Sequence, residues 1–192
     1  ASTMKISYER GFITKGPEVL NLARLLMFTG QPYEAGEVLQ DALERGLVDD
    51  TAENWELLAS AWFSCRELDR SLEALNRAAE RSPKADLDVR AAQIYLDKEM
   101  WEEAVRRLEA AREKGNAEKP GMMYQLLGYA YYGLDRFEQA REAFREAGKD
   151  PDLKEAVEMW LTHLEDEIAR RQELESLENG ATEPAPADEG SA

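Results

Sequence analysis

Few residues in this chain have side chains able to do chemistry, and their spacing limits what they can do. There is one histidine, His163, and one cysteine, Cys65. A metal centre or an activated nucleophile needs several such groups converging in space. His163 falls beside an apolar helical stripe and reads as a boundary residue of that helix. Cys65 follows "AWFS" at a helix end and reads as a structural thiol with no disulfide partner in the chain. Carboxylates crowd "EDE" at 165–167 and "WEEA" at 101–104. Acid–base work needs a pocket that separates their pKa values, whereas a helix face in an acidic protein leaves them solvated. No phosphate-binding loop and no G-x-G-x-x-G occurs. The reading is a non-catalytic protein without metal or cofactor. The aromatics Trp55, Trp62, Tyr124 and Tyr131 are the remaining candidates for a ligand box, and their placement depends on the elements that carry them.

A net charge of -16 over 192 residues argues against nucleic acid, since phosphate binding needs a basic footprint. Anionic membrane surfaces are disfavoured in the same way. No apolar run approaches the roughly 20 residues that span a bilayer, so no direct membrane insertion is expected. A lone cysteine fits a reducing or an oxidising compartment. No signal peptide is visible, and the sequence opens on "ASTMKIS" without an initiator Met, as a processed product or an excised fragment would.

Apolar residues recur at i, i+3, i+4 and i+7 between turn residues, and no stretch alternates with period two, so the chain reads as all-α. The helices pair and the pairs repeat. One unit is Tyr124, Leu127, Gly128, Tyr131, then Ala140, Phe144, Ala147. Another is Trp55, Leu58, Ala59, Trp62, then Ser71, Leu75, Ala78, Pro83. A third is Ala91, Ala92, Tyr95, then Ala104, Leu108, Ala111, and the first is Leu22, Ala23, Leu26, then Ala35, Leu39, Ala42. The small residue opening each second helix stands at 35, 71, 104 and 140, in steps of 36, 33 and 36. Gly46 and Gly115 each precede the next unit's first aromatic by nine positions, so units one and two echo units three and four.

This pattern resembles the tetratricopeptide repeat, a unit of about 34 residues with the signature W-x2-L-G-x2-Y…A-x3-F…P. "NWELLASAWFSCRELDRSLEALNRAAERSP" and "YQLLGYAYYGLDRFEQAREAF" carry it well. The first and third units are weaker: no Pro closes them, and Asp88 stands where the large first aromatic is expected. The resemblance implies a right-handed superhelix of about four helix-turn-helix repeats (17–50, 51–84, 85–118 and 119–150) with a C-terminal capping helix at 151–178. Trp55, Trp62, Tyr124 and Tyr131 then become packing residues. Asp150-Pro151 reads as a helix start, and Leu153, Ala156, Val157, Trp160, Leu161, Leu164 and Ile168 as the capping stripe. Residues 1–16 read as the remnant of a preceding helix. The stretch 179–192 has no aromatic and no aliphatic beyond Ala, and reads as a disordered acidic tail.

In the family, the first helices of stacked repeats line a concave face that binds partners. By position, that face would hold Leu20, Arg24 and Met27, then Glu56, Ser60 and Phe63, then Val89, Gln93 and Leu96, then Gln125, Tyr129 and Tyr132. Phe63, Tyr129 and Tyr132 are either an exposed aromatic patch or partly buried between first helices. The family's carboxylate clamp for chaperone C-termini needs Lys and Asn in this groove. Glu56, Ser60 and Gln93 stand there instead, so that subclass is not expected. The function implied is a protein-interaction scaffold. A narrower resemblance, carried by "TKGPEVLNLARLLMFTGQPYEA", the joints "ERG" and "EKG", and "AVEMWLTHLEDE", is to repeat proteins that accompany TonB-type energy-transduction systems of Gram-negative bacteria. It implies a periplasmic location and TonB, ExbB or ExbD as partners. The alternatives are a cytosolic secretion chaperone and a self-associating protein, a homo-oligomer built through Leu174 and Leu177 or through the N-terminal edge.

Overall fold

The computed structural model describes residues 6–8, 10, 11, 13 and 15–181. The described residues form nine full helices and no strand. They are α1 (Gly16–Phe28), α2 (Pro32–Glu44), α3 (Ala52–Ser64), α4 (Leu68–Glu80), α5 (Ala85–Asp97), α6 (Trp101–Lys114), α7 (Pro120–Gly133), α8 (Phe137–Ala147) and α9 (Lys154–Ala181). Each packs on its neighbours in sequence, and α5 also meets α7. That is the one-dimensional contact pattern of a solenoid. Residues 6–8 are helical, and Tyr8 is buried against α2, where its hydroxyl donates to Asp41. Of the tail expected at 179–192, residues 179–181 belong to α9, which runs three residues past the expected end, and 182–192 lie outside the described residues. The last helix begins at Lys154, later than Pro151, because Asp150 is spent on a turn: its carboxylate accepts the N–H of Asp152 at 3.1 Å.

The first helix of every repeat stops in one way. The N–H groups of Gln31, Glu67, Met100 and Arg136 donate back to the carbonyls of Leu26, Trp62, Tyr95 and Tyr131 at 2.8–2.9 Å. This six-to-one bond closes around a left-handed residue. Those residues are Gly30 (φ 74°), Arg66 (66°), Glu99 (56°) and Asp135 (58°). Only the first is a glycine; a side chain in this conformation costs about 1–2 kcal/mol. Gly46 and Gly115 take the same conformation at the two long joints. Left-handed residues therefore recur at 30 and 99, 46 and 115, and 66 and 135. The backbone repeats every 69 residues as a two-repeat unit used twice.

The paired helices lie close because small residues face each other. Ala23, Ala59 and Ala92 in first helices and Ala35, Ser71, Ala104 and Ala140 in second helices are fully buried. Ser71 satisfies its hydroxyl by donating to the Ala59 carbonyl at 2.9 Å. At Gly128 the approach leaves no room for a side chain: a Cβ there would sit 2.5 Å from the Phe144 ring. Trp62, Phe144, Leu39, Leu75, Leu108 and Leu127 fill the space between successive pairs.

Asp88 breaks the pattern and is compensated. Its side chain is 1% exposed where Trp55 and Tyr124 stand in other repeats. Its carboxylate accepts from Arg107 Nη1 at 3.2 Å and from Lys114 Nζ at 2.6 Å. Lys114 also donates to the Ala79 carbonyl at 2.9 Å, which ties α6 to α4 across α5.

Three outcomes follow for stability in urea. Gly128→Ala, despite the better helix propensity of alanine, should lower stability by about 2 kcal/mol through overpacking against Phe144, and Gly128→Leu should abolish the cooperative transition. Lys114→Met should cost about 3 kcal/mol by leaving Asp88 short of a partner, whereas Arg136→Met at its exposed pair with Glu102 should cost under about 1 kcal/mol. Glu99→Gly should raise stability by about 1 kcal/mol by relieving its left-handed backbone; an unchanged midpoint would mean the turn holds no such strain.

Candidate functional site

Successive first helices α1, α3, α5 and α7 carry the residues expected on the concave face. Arg24 is exposed, while Met27 and Leu20 are half-buried against the first core cluster. Glu56 and Ser60 are pinned by a residue the sequence pattern did not single out. Arg90 Nη1 lies 2.6 Å from Glu56 Oε1, and Arg90 Nη2 donates to Ser60 Oγ at 3.3 Å. Ser60 in turn donates to the Glu56 carbonyl at 2.9 Å. The signal for this link was present in the sequence: opposite charges stand one repeat apart at adjoining first-helix positions.

Phe63 is 52% exposed at the C-terminal end of α3. It borders a cleft of about 420 Å³ between α3 and α5, whose walls include Arg90, Gln93 and Asp97 and whose floor is Leu75 and Ile94. Gln93 is exposed at this rim, Val89 and Leu96 are partly buried, and Gln125 is half-buried on α7. An apolar floor, one free aromatic ring and a polar rim can hold an apolar side chain and the backbone around it.

Tyr129 and Tyr132 do not join Phe63 in one exposed patch. Both are partly buried, and what covers them is the capping helix α9. Trp160 of α9 sits 4.9 Å from Tyr129, 5.7 Å from Tyr132 and 5.8 Å from Phe144, ring centre to ring centre. His163 Nε2 is 3.0 Å from the Tyr132 hydroxyl. Burial holds the Tyr129 hydroxyl above its usual pKa. These tyrosines form the seat of α9, whereas at Phe63 the period-69 equivalents of Trp160 and His163, Ala91 and Ile94, are smaller and the cleft stays open.

His163 is thus engaged in aromatic packing, and the Cys65 thiol donates to the Ala61 and Trp62 carbonyls at 3.4 and 3.3 Å. Among the described residues no group of three or more His, Cys, Asp or Glu could hold a metal ion. No described helix is long and apolar enough to cross a membrane.

The chain resembles known proteins in sequence profile and in fold. A crystal structure of MamA is 25% identical with a TM-score of 0.61, covering 80% of this chain and 86% of that one. A second MamA crystal structure is 26% identical with a TM-score of 0.59, covering 74% and 76%. MamA from Desulfovibrio magneticus RS-1, from residue 41 to its end, shares the fold at 19% identity and a TM-score of 0.59, covering 84% and 95%. A comparison with curated proteins found no match. The tetratricopeptide repeat profile matches twice, over residues 20–86 and 89–154, in the same 69-residue register as the backbone turns. The chain belongs to the tetratricopeptide repeat family.

Proposed function

We propose that this protein is a non-catalytic scaffold that binds an extended segment or helix of a partner protein along the face of α1, α3, α5 and α7. The observation that carries the reading is Phe63, an exposed ring above an apolar-floored cleft beside Arg90 and Gln93. Aromatic anchors of this kind dominate interface energies because they bring large contact area at low entropy cost. Arg24, Met27, Glu56, Ser60 and Gln125 extend the same face on either side. Tyr129 and Tyr132 contribute to it only through the edges that α9 leaves uncovered. The salt bridge from Arg90 pre-orients Glu56, which lowers the entropy lost on binding.

The narrower role as a periplasmic accessory of a TonB-type system rests on the short motifs "TKGPEVLNLARLLMFTGQPYEA" and "AVEMWLTHLEDE" and the joints "ERG" and "EKG" alone. Its most distinctive element, Trp160 with His163, has a packing role that accounts for both residues. Exposed Leu174 (55%) and Leu177 (63%) on α9 favour self-association as a second reading. Sedimentation as a monomer at micromolar concentration would remove it.

The partner-binding reading is tested by capture of partners from envelope and cytosolic fractions on the immobilised protein. Phe63→Ala should weaken capture by about 2 kcal/mol, or roughly 30-fold, while thermal unfolding is unchanged within error. Equal capture by wild type and variant would sink the Phe63 cleft as the site. Envelope fractions that yield no TonB, ExbB or ExbD would sink the narrower role.

A further inference from the structure

The two halves of the solenoid can be compared position by position at a spacing of 69, and one site differs in a way that points to a ligand. In the first half, α3 presents Trp55 and Trp62 between α2 and α4. Arginines of α4 and the turn after it cover both rings. The Arg70 guanidinium carbon lies 4.5 Å from the Trp62 ring centre, and those of Arg77 and Arg81 lie 5.6 and 5.9 Å from Trp55. These are cation–π distances. The space left between Trp55, Trp62, Arg70 and Glu73 is about 50 Å³. A shallower depression of about 320 Å³ adjoins it along α2.

In the second half, Tyr124 and Tyr131 of α7 replace the two tryptophans, between α6 and α8. The positions of Arg70, Arg77 and Arg81 are now Gln139, Glu146 and Asp150. No guanidinium of the described residues covers either tyrosine ring. The equivalent cleft is about 330 Å³, with Leu127 and Ala143 among its lining residues and Glu109, Glu142 and Glu146 around it. Arg112 also lines it, but is paired with Glu109, which accepts the Tyr131 hydroxyl as well. Lys149, exposed just beyond α8, donates to both Glu146 oxygens at 2.6 Å, a surface pair that an incoming guanidinium would replace. Repeat three also supplies its own cation: Lys114, at the position of Arg81, binds Asp88, at the position of Trp55. Repeats two and three therefore fill this position internally, and repeat four does not.

We propose that the cleft between α6 and α8 receives the guanidinium of an arginine from a basic, extended segment of a partner protein, stacked on Tyr124 and paired with Glu142 and Glu146. A planar guanidinium satisfies both requirements at once, since it stacks on an aromatic face and donates to carboxylates in its own plane. The net charge of -16 draws such a segment in. This surface is distinct from the Phe63 cleft and stands or falls separately from it.

The test uses the full chain and an acetylated, amidated tetra-arginine peptide, with binding measured by calorimetry and the contact surface by amide chemical shifts. The expected result is binding that perturbs α6–α8. It should weaken at least fivefold in Tyr124→Ala and in Glu146→Arg, the latter placing in the second half the arginine that the first half has at position 77. Glu173→Arg, an equal charge change on exposed α9, should stay within twofold of wild type. Circular dichroism melting confirms that each variant is folded. A tetralysine peptide should bind several-fold more weakly. Absence of binding to wild type, equal losses in Glu146→Arg and Glu173→Arg, or equal affinity for tetralysine would each overturn the proposal. Dimers of the free protein that Glu146→Arg dissociates would assign the cleft to a second copy of this chain and overturn it as well.

Discussion

The close approach of each first helix to its second helix is the constraint on which the structure depends. At Gly128 and Phe144 it is absolute, because the ring occupies the space a Cβ would need. Fully buried alanines do the same work in the other repeats. Helices held this close present a narrow apolar edge on each side, and no single pair can cover both edges alone. Stacking follows, and with it a surface whose shape is set by backbone geometry. The side chains on that surface are free to vary, and binding residues are drawn from them.

That freedom accounts for the difference between the two halves. The left-handed turns at 30 and 99, 46 and 115, and 66 and 135 show one backbone used twice. Packing positions are kept in kind: tryptophan for tyrosine, leucine for phenylalanine, alanine for glycine. The side chains around them diverge, as when arginines over an aromatic ring give way to glutamine and glutamate. A duplicated frame with divergent surfaces offers several dissimilar faces to partners without any change in the core.

Much of this architecture was legible in the sequence because it rests on local periodicity. The small residues at 35, 71, 104 and 140, and the aromatics at 55, 62, 124 and 131, sit at offsets that survive in the folded chain. What could not be read depends on contacts between distant segments. Trp160 was recognisable as part of an apolar stripe, but the stripe does not say that its ring would settle on Tyr129 and Tyr132. Asp88 stood out as a departure from the pattern, yet its two cations lie 19 and 26 residues further on. Arg90 alone looks the same whether it is solvated or bridges to the preceding repeat; only the opposite charge of Glu56 one repeat earlier hints at the bridge.

Asp88 has one more consequence, and it concerns folding order. Two halves built on one frame can exchange places: a second helix from one half can dock where its counterpart from the other half belongs. Misassembly of this kind is a characteristic failure of repeat proteins. Apolar contacts discriminate against some exchanges, as where Phe144 would meet the Cβ of Ala59 instead of Gly128, but less where the halves keep their core residues in kind. The Lys114 ammonium does, because in the native stack it satisfies Asp88 and the Ala79 carbonyl together. A stack assembled in the wrong order would leave that ammonium without its carbonyl and the middle joint short of a hydrogen bond. The repeat that puts a carboxylate at the first aromatic position thereby marks the centre of the array and helps give a nearly symmetric chain a single register.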